Sequence, residues 1–154
     1  MRTLVDIITN NTTAYDMQSG TASAILSGTA ALTKTTGGTV TLSGANTYSG
    51  ATAINAGTVV AANTNALGNG SAVTVGNGAT LDVGTNNVTV NNTYTQNGTL
   101  KVTVASPSSS GKITSNANAT VALFSHLLDN VAVTHLCPDQ AYSVFFEAEF
   151  KPKV

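Results

Sequence analysis

Residues 38–44 read Gly-Thr-Val-Thr-Leu-Ser-Gly. In this stretch the apolar side chains of Val40 and Leu42 alternate with the hydroxyl side chains of threonine and serine. A period of two residues is typical of a β-strand that buries one face, because successive side chains point to opposite sides of the backbone. The glycines at both ends favour turns there. The stretch therefore predicts one short strand between two corners of the chain.

The same stretch returns three times at nearly constant intervals. It recurs at residues 57–59, at 78–81 with one residue inserted, and at 98–100. Its leading glycines are 19 residues apart from 38 to 57, 21 apart from 57 to 78 and 20 apart from 78 to 98. A further echo lies at 118–121. This spacing predicts a solenoid, in which each repeat is one turn that cannot bury its apolar side chains alone.

Stacking of the repeats predicts a continuous apolar ladder inside the solenoid. The ladder would consist of the residues that share one position in every turn: Val40, Val59, Leu81 and Leu100. Shorter strands are predicted between them, at 73–75 and 88–90, and glycine at each corner would provide a positive φ angle. No sustained helical period precedes the last thirty residues. The sequence therefore predicts an all-β fold, a parallel β-helix with about 20 residues per rung.

A family resemblance lies in residues 31–50, and its sharpest part is the run Leu-Ser-Gly-Ala-Asn-Thr-Tyr at 42–48. This segment and its continuation to residue 68 resemble the passenger-associated β-strand repeat of bacterial autotransporters. The segment 94–100 is similar to the region of such passengers nearer the barrel. The resemblance covers roughly residues 20–123. It implies that the β-helix is right-handed and belongs to the passenger domain of a type V secretion system.

The resemblance also implies a location and a partner. Passengers of this kind lie at the bacterial cell surface or outside the cell, and a C-terminal β-barrel translocator carries them across the outer membrane. We therefore expect such a barrel in the full-length protein. Residues 1–8 are too short and too interrupted by charge for a signal peptide, so this chain is expected to be either intracellular or part of a longer precursor.

Changes in composition divide the chain into three parts. We expect an N-terminal cap or partial rung at 1–19, β-helix repeats at 20–123 and a divergent cap or tail at 124–154. The third part contains the histidine and phenylalanine residues of the chain, which the repeats lack, and charged residues are more frequent in it. An open solenoid end exposes unpaired backbone and apolar side chains, which favours a cap there. A frameshifted or foreign tail is the alternative interpretation.

The low charge of the chain excludes several functions. Only 8% of its residues are charged, against about 25% in an ordinary domain, and the net charge is −1. Six scattered cationic residues, with Arg2 as the only arginine, cannot neutralise a run of phosphates, so no nucleic-acid partner is expected. No stretch approaches the roughly 18 apolar residues of a membrane-spanning helix. The lone Cys137 cannot form an intramolecular disulfide bond.

The repeats contain few residues that could carry out catalysis. Asp82 is the only charged residue between Lys34 and Lys101. Glycoside hydrolysis needs two carboxylates about 5 to 10 Å apart, and no rung supplies a pair. We therefore predict no catalytic residues, no cofactor and no enzymatic activity, and we expect Asp82 to be a solvated, outward residue.

Two other groups of residues have a structural and a functional interpretation. His126, His135 and Cys137 are of types that bind zinc, but their spacing contains no second close pair, so no metal site is predicted and packing in the cap is favoured. Tyr48 and Tyr94 lie near turns, where packing over a rung corner is favoured over stacking on a sugar. The role of Cys137 stays open.

Two main hypotheses for function remain. The favoured hypothesis is a non-enzymatic structural segment of an autotransporter passenger, a surface-exposed stalk or adhesin-like element. Its candidate partners are glycans, surface proteins and further copies of the chain, because a charge-poor solenoid has little protection against association at its ends. The alternative is a carbohydrate-binding or relict polysaccharide-degrading β-helix. A phage fibre segment, which would have to trimerise, is a third and less favoured hypothesis.

Overall fold

The fold is that of a computed structural model of the 154-residue chain. The described backbone comprises residues 6–106, 109–110, 112–115, 119–121, 131–132, 142–144 and 147–148. The burial of side chains is described for residues 6–103 and for Ile113. Within these segments the chain forms short strands and no helix. Accordingly, no helix of the described part is long and apolar enough to cross a membrane.

The strands are between two and five residues long. In chain order they are β1 Ile7–Thr9, β2 Tyr15–Asp16, β3 Gly20–Ala22, β4 Ile25–Ser27, β5 Leu32–Lys34, β6 Thr39–Leu42, β7 Thr52–Ile54, β8 Thr58–Ala61, β9 Val73–Val75, β10 Thr80–Gly84, β11 Asn87–Val90, β12 Tyr94–Gln96, β13 Thr99–Val102, β14 Val104–Ser106, β15 Ser109–Ser110, β16 Lys112–Ser115, β17 Ala119–Val121, β18 Val131–Ala132, β19 Tyr142–Val144 and β20 Glu147–Ala148.

Successive turns of the chain stack as a β-solenoid with three faces. The first face is a five-stranded parallel sheet in the order β13-β10-β8-β6-β3. The third face is a six-stranded parallel sheet in the order β17-β12-β9-β7-β5-β2. Five strands on the first face correspond to about five turns of about 20 residues each. The predicted parallel β-helix and its rung length are therefore confirmed.

The second face, which we call the split face, has regular strands only towards its two ends. β1 pairs with β4 at one end, and β11 pairs with β16 at the other, both in parallel. Between them lie segments without strand structure around residues 44–49 and 63–67. The Thr47 amide donates to the Leu26 carbonyl at 2.8 Å, and the Thr89 amide donates to the Thr64 carbonyl at 2.9 Å. The two irregular segments therefore continue the stack of turns across the gap.

The core is the predicted ladder of apolar side chains. Val40 pairs with Val59, Val59 with Leu81 and Leu81 with Leu100, so the four residues lie in one column. Val40, Val59 and Leu81 are at most 2% exposed, while Leu100 in the last of these strands is partly buried. Burial of each such side chain stabilises the fold by about 2 kcal/mol. The neighbouring threonines on the same strands point outward, as the alternation predicts.

The corner glycines have two different roles, and only one of them was expected. Gly57 and Gly78 adopt the left-handed conformation, with φ angles of +67° and +78°. Gly38 and Gly98 do not have positive φ, so the prediction of a positive angle at every corner is wrong. A β-carbon on Gly98 would overlap the carbonyl oxygens of Gly76 and Ala79 in the preceding turn. Glycine is required at residue 98 because two turns approach too closely for any side chain.

The predicted C-terminal part falls largely outside the described residues, whereas the predicted N-terminal part is described from residue 6 onward. In the region predicted as a cap, only β18, β19 and β20 are described, and β19 pairs antiparallel with β16 while β18 pairs antiparallel with β20. Residues 1–5 and the candidate ligands His126, His135 and Cys137 are not described. The proposed boundaries at residues 19 and 123 stay predictions.

The close approach at Gly98 leads to a test of rung packing. We expect Gly98→Ala to lower the free energy of unfolding by about 2 kcal/mol, because the added methyl group forces two turns apart. Gly37→Ala is the matched control, since a β-carbon there meets no atom within 4 Å and its φ is not positive. Chemical denaturation followed by circular dichroism measures both variants. Equal stabilities for the two alanine variants would contradict this account of the corner.

Candidate functional site

The residues of the sharpest sequence motif lie inside the solenoid, at the split face. Asn46 is 1% exposed and contacts the turns on both sides of its own. Its Oδ1 accepts a hydrogen bond from the Leu26 amide at 2.9 Å, and its Nδ2 donates to the Ala66 carbonyl at 2.6 Å. A carboxamide has one acceptor and one donor group, as a peptide group has. The Asn46 side chain therefore replaces a peptide group of the missing strand and joins three turns.

Tyr48, two residues further on, is fully buried next to the same gap. Its hydroxyl group lies 2.7 Å from the Thr52 hydroxyl, and its ring centroid is 6.1 Å from that of Tyr15 in a tilted arrangement. The Tyr48 carbonyl accepts hydrogen bonds from the Asn69 amide at 2.9 Å and from the Ser71 hydroxyl at 3.2 Å. Tyr48 thus fills the core at the split face and anchors the turn above it.

Lys34 is a buried lysine that sequence reasoning did not single out. It is 0% exposed, and its Nζ donates hydrogen bonds to the Thr36 carbonyl and, at 3.1 Å, to the Thr36 hydroxyl. A β-carbon on Gly57 would lie 2.7 Å from the same Nζ. Lys34 therefore holds the corner after its own strand from within, beneath Gly57. The repeat itself indicated this burial, because Lys34 occupies the same position in its turn as Ile54, an inward residue, occupies in the next turn.

These three side chains belong to a segment with a known pattern. The family model of the passenger-associated-transport-repeat matches residues 32–61, which comprise β5 to β8 and the irregular segment between β6 and β7. Residues 32–61 are similar to this family, and we call them the passenger repeat. The predicted recognition of an autotransporter passenger repeat is therefore confirmed for this segment. No match was found among the curated proteins or among the solved structures.

Within the passenger repeat, the polar side chains stabilise the stacking of turns. Asn46 joins the turns before and after it, Tyr48 fills the core, and Lys34 holds a corner. All three are at most 1% exposed, so none of them faces a substrate in solution. Packing of Tyr48 was predicted in preference to stacking on a sugar; its ring is fully buried and lies next to the corner glycine Gly68. These residues of the passenger repeat therefore stabilise the stacking of turns.

Tyr94, outside the passenger repeat, is also interior. It is 2% exposed, and its hydroxyl donates a hydrogen bond to Oε1 of Gln96, while Nε2 of Gln96 has no partner among the described residues. Tyr94 follows Val73 in an inward column of the third face, so it packs in the interior and does not face a sugar in solution. Burial raises the pKa of both Tyr48 and Tyr94 well above the ordinary value of 10.0.

Asp82, the only carboxylate between Lys34 and Lys101, belongs to an ion pair. Its Oδ2 lies 2.7 Å from Nζ of Lys101, the neighbouring outward residue of the next turn, and its Oδ1 accepts a hydrogen bond from the Gly84 amide at 2.9 Å. The Asp82 side chain is only 12% exposed, so the expectation of a solvated residue is wrong. Stacking brings Lys101 over it, and both of its oxygens are engaged.

The part of the chain that the structure describes contains no group of three histidine, cysteine or acidic residues that could hold a metal ion. His126, His135 and Cys137 lie outside that part. Among the residues whose side chains are described, the acidic ones are Asp6, Asp16 and Asp82. The first two lie on exposed segments near the N-terminal end, and Asp82 lies in a different sheet, paired with Lys101. The described carboxylates are therefore not brought together into one site.

The role of Asn46 can be tested by changing one atom. Asn46→Asp removes the donor to the Ala66 carbonyl and places a carboxylate in the core. We expect the free energy of unfolding at neutral pH to fall by about 3 kcal/mol. Burial raises the pKa of the new carboxyl group, so the loss should be small below its unfolded value near 4 and should grow as the pH rises.

The matched control for this variant is Asn55→Asp, in the same passenger repeat. Asn55 is exposed, and its side chain makes no hydrogen bond to the described residues. The control should lose less than about 0.5 kcal/mol. Urea denaturation of both variants at several pH values measures the difference. A pH-independent loss for Asn46→Asp would contradict the proposed bond to Ala66.

The buried tyrosines predict how the fold responds to alkali. Because folding raises their pKa, Tyr48 and Tyr94 contribute stability that is fully present below pH 10.0 and is lost as the pH rises beyond it. We expect their ionisation, followed by phenolate absorbance, to coincide with the loss of the circular dichroism signal of the strands. The double variant Tyr48→Phe, Tyr94→Phe should keep that signal to higher pH. Normal ionisation of both tyrosines in the folded chain would refute their burial.

Proposed function

We propose that this chain is a non-enzymatic structural segment of an autotransporter passenger, and that it forms part of a surface-exposed stalk or adhesin. The observation that carries the proposal is the passenger repeat at residues 32–61, which forms turns of a continuous parallel solenoid. Each added turn lengthens a solenoid by one strand spacing of about 4.8 Å, without changing the contacts of the others. Such a segment is suited to extend a binding element away from a surface.

The way in which the polar groups are used supports a structural role. In the described residues, Lys34, Asn46 and Tyr48 bond to the chain itself, and both oxygens of Asp82 are engaged. A general acid or base must reach a substrate within hydrogen-bonding distance. The side chains of Lys34, Asn46, Tyr48 and Asp82 are not arranged to reach a substrate. The exposed surface of the first face consists mainly of neutral threonine hydroxyls, which favour many weak contacts.

The passenger repeat also supports the proposed location and partners. In the full-length protein, a β-barrel translocator would carry this segment to the cell surface or the medium. The outward column of threonines on the first face could contact glycans or surface proteins there; its members are Thr39, Thr58, Thr80 and Thr99. Hydroxyl groups are both donors and acceptors, so they match sugar hydroxyls.

The proposal is tested by display of the chain on a bacterial surface. The chain would be placed between a signal peptide and a β-barrel translocator, and surface exposure would be measured by antibody labelling and protease accessibility in intact cells. We expect efficient display, and a several-fold loss when residues 32–61 are replaced by a scrambled sequence of the same composition. An intact chain that fails to reach the surface would refute the passenger role.

Assays of the purified chain separate the structural role from the carbohydrate hypothesis. We expect no cleavage of acidic or neutral polysaccharides and no saturable, selective binding on a glycan array. Cleavage that is lost in Asp82→Asn would overturn the non-enzymatic role. Selective binding that is lost in the double variant Thr58→Lys, Thr80→Lys would instead establish the carbohydrate-binding alternative.

Self-association is proposed at the N-terminal end of the solenoid. There, each of β1, β2 and β3 has one hydrogen-bonded neighbour among the described strands. Ile7 and Ile8 of β1 are 63% and 51% exposed, the exposed large hydrophobic residues of the described part. Open strand edges with apolar side chains and no lysine or proline invite pairing with another chain.

This association can be tested by light scattering over a range of concentrations. We expect the unchanged chain to form oligomers at moderate concentration, and Ile8→Lys to shift the onset to several-fold higher concentration by charging the open edge. Thr21→Lys on β3 would show whether that edge contributes. A monomer at high concentration would refute this proposal and leave the passenger role intact.

A further inference from the structure

Three corners of the solenoid contain the dipeptide Asn-Gly, at residues 69–70, 77–78 and 97–98. In this dipeptide the backbone nitrogen of glycine can attack the side-chain carboxamide of the preceding asparagine, because no β-carbon on glycine hinders the approach. The new bond joins that nitrogen to Cγ and closes a five-membered succinimide, and ammonia leaves. Water then opens the ring to aspartate or isoaspartate. The net reaction consumes one water and releases one ammonia, without any oxidant or further reactant.

The reaction requires a free glycine nitrogen and a carboxamide that can rotate towards it. Asn77 and Gly78 are both exposed and lie in the turn between β9 and β10, which the Ala79 amide closes by donating to the Gly76 carbonyl at 3.1 Å. Neither the Gly78 nitrogen nor the Asn77 side chain has a hydrogen bond to the described residues. The space around Gly78 is open, because a β-carbon at this position would meet no atom within 4 Å.

The other two pairs are held by the stacking of the turns. The amides of Asn97 and Gly98 both donate to the Val75 carbonyl, at 2.8 and 3.1 Å, so the attacking nitrogen is engaged and lies in the crowded corner described above. At the remaining pair, Oδ1 of Asn69 accepts a hydrogen bond from Nδ2 of Asn91 at 2.8 Å. Rotation of the Asn69 carboxamide breaks this bond between turns.

We propose that Asn77 is a site of spontaneous covalent modification, at which the folded chain deamidates and forms isoaspartate ahead of Asn69 and Asn97. The modification changes the formal net charge from −1 to −2 for each copy, since one neutral side chain becomes a carboxylate. It places this charge on an exposed corner of a solenoid whose described outward surface is nearly uncharged. Isoaspartate also adds one carbon to the backbone path of the turn. A long-lived extracellular copy would thus acquire a charge that a new copy lacks.

The test follows the three asparagines separately in the folded and in the unfolded chain. The purified chain is kept at mildly alkaline pH and physiological temperature, once in buffer and once in concentrated urea, and peptide mass spectrometry quantifies deamidation at each site. In the folded chain we expect Asn77 to react at least about fivefold faster than Asn97, because Gly98 must first lose a hydrogen bond. The deamidation rate at Asn69 should lie between those at Asn77 and Asn97. In urea the three rates should converge, because all three sites share the Asn-Gly sequence.

Two further variants complete the test. Asn77→Gln should abolish the early acidic band on native electrophoresis, since glutamine would have to close a less favourable six-membered ring. Asn91→Ala should accelerate deamidation at Asn69 and leave Asn77 unchanged, because it removes the bond that holds the Asn69 carboxamide. Equal rates at the three sites in the folded chain, or faster reaction at Asn97 than at Asn77, would overturn the proposal. These outcomes do not depend on the passenger role.

Discussion

The hydrogen bonds between successive turns constrain everything else in the described solenoid. No turn forms a sheet by itself, because its strands pair with the strands of the turns before and after it. The parallel register must therefore be kept over the whole stack, and a shift of one residue would move every inward side chain to the outside. This explains why leucine and valine return at one position of each turn while threonine returns at its neighbours. It also explains why the repeat length varies by so little.

The same constraint accounts for the residues that interrupt the regular pattern. Where two turns approach closely, as at Gly98, no side chain fits between a corner and the carbonyl groups beneath it. Where the split face has no strand, the carboxamide of Asn46 supplies the donor and the acceptor that a peptide group would have supplied. Tyr48 fills the interior next to the split face, and Lys34 fills it beneath the corner at Gly57. Lys34, Asn46 and Tyr48 lie within the matched residues 32–61.

A fold organised in this way separates its stabilising residues from its surface. In the described part, Lys34, Asn46 and Tyr48 are turned inward and Asp82 is paired with Lys101, while threonine side chains of the first face point outward. Function is then expected to depend on the length of the stack, on its corners and on its open edges. The proposed structural role of the segment is consistent with this arrangement. The exposed corner at Asn77 and the exposed side chains of Ile7 and Ile8 are two places where the described surface differs from its threonine-rich face.

The sequence by itself determined the strand period, the repeat length and the ladder from Val40 to Leu100, because alternation and spacing are local properties of the chain. It also contained the passenger motif, but it did not indicate what the motif residues do. Only the tertiary structure placed Asn46 between Leu26 and Ala66 and Lys101 over Asp82. The contacts of Asn46 and of Asp82 join residues about 20 positions apart, and each partner is defined only once the turns are stacked in register. The missing strand of the split face could not be foreseen for the same reason.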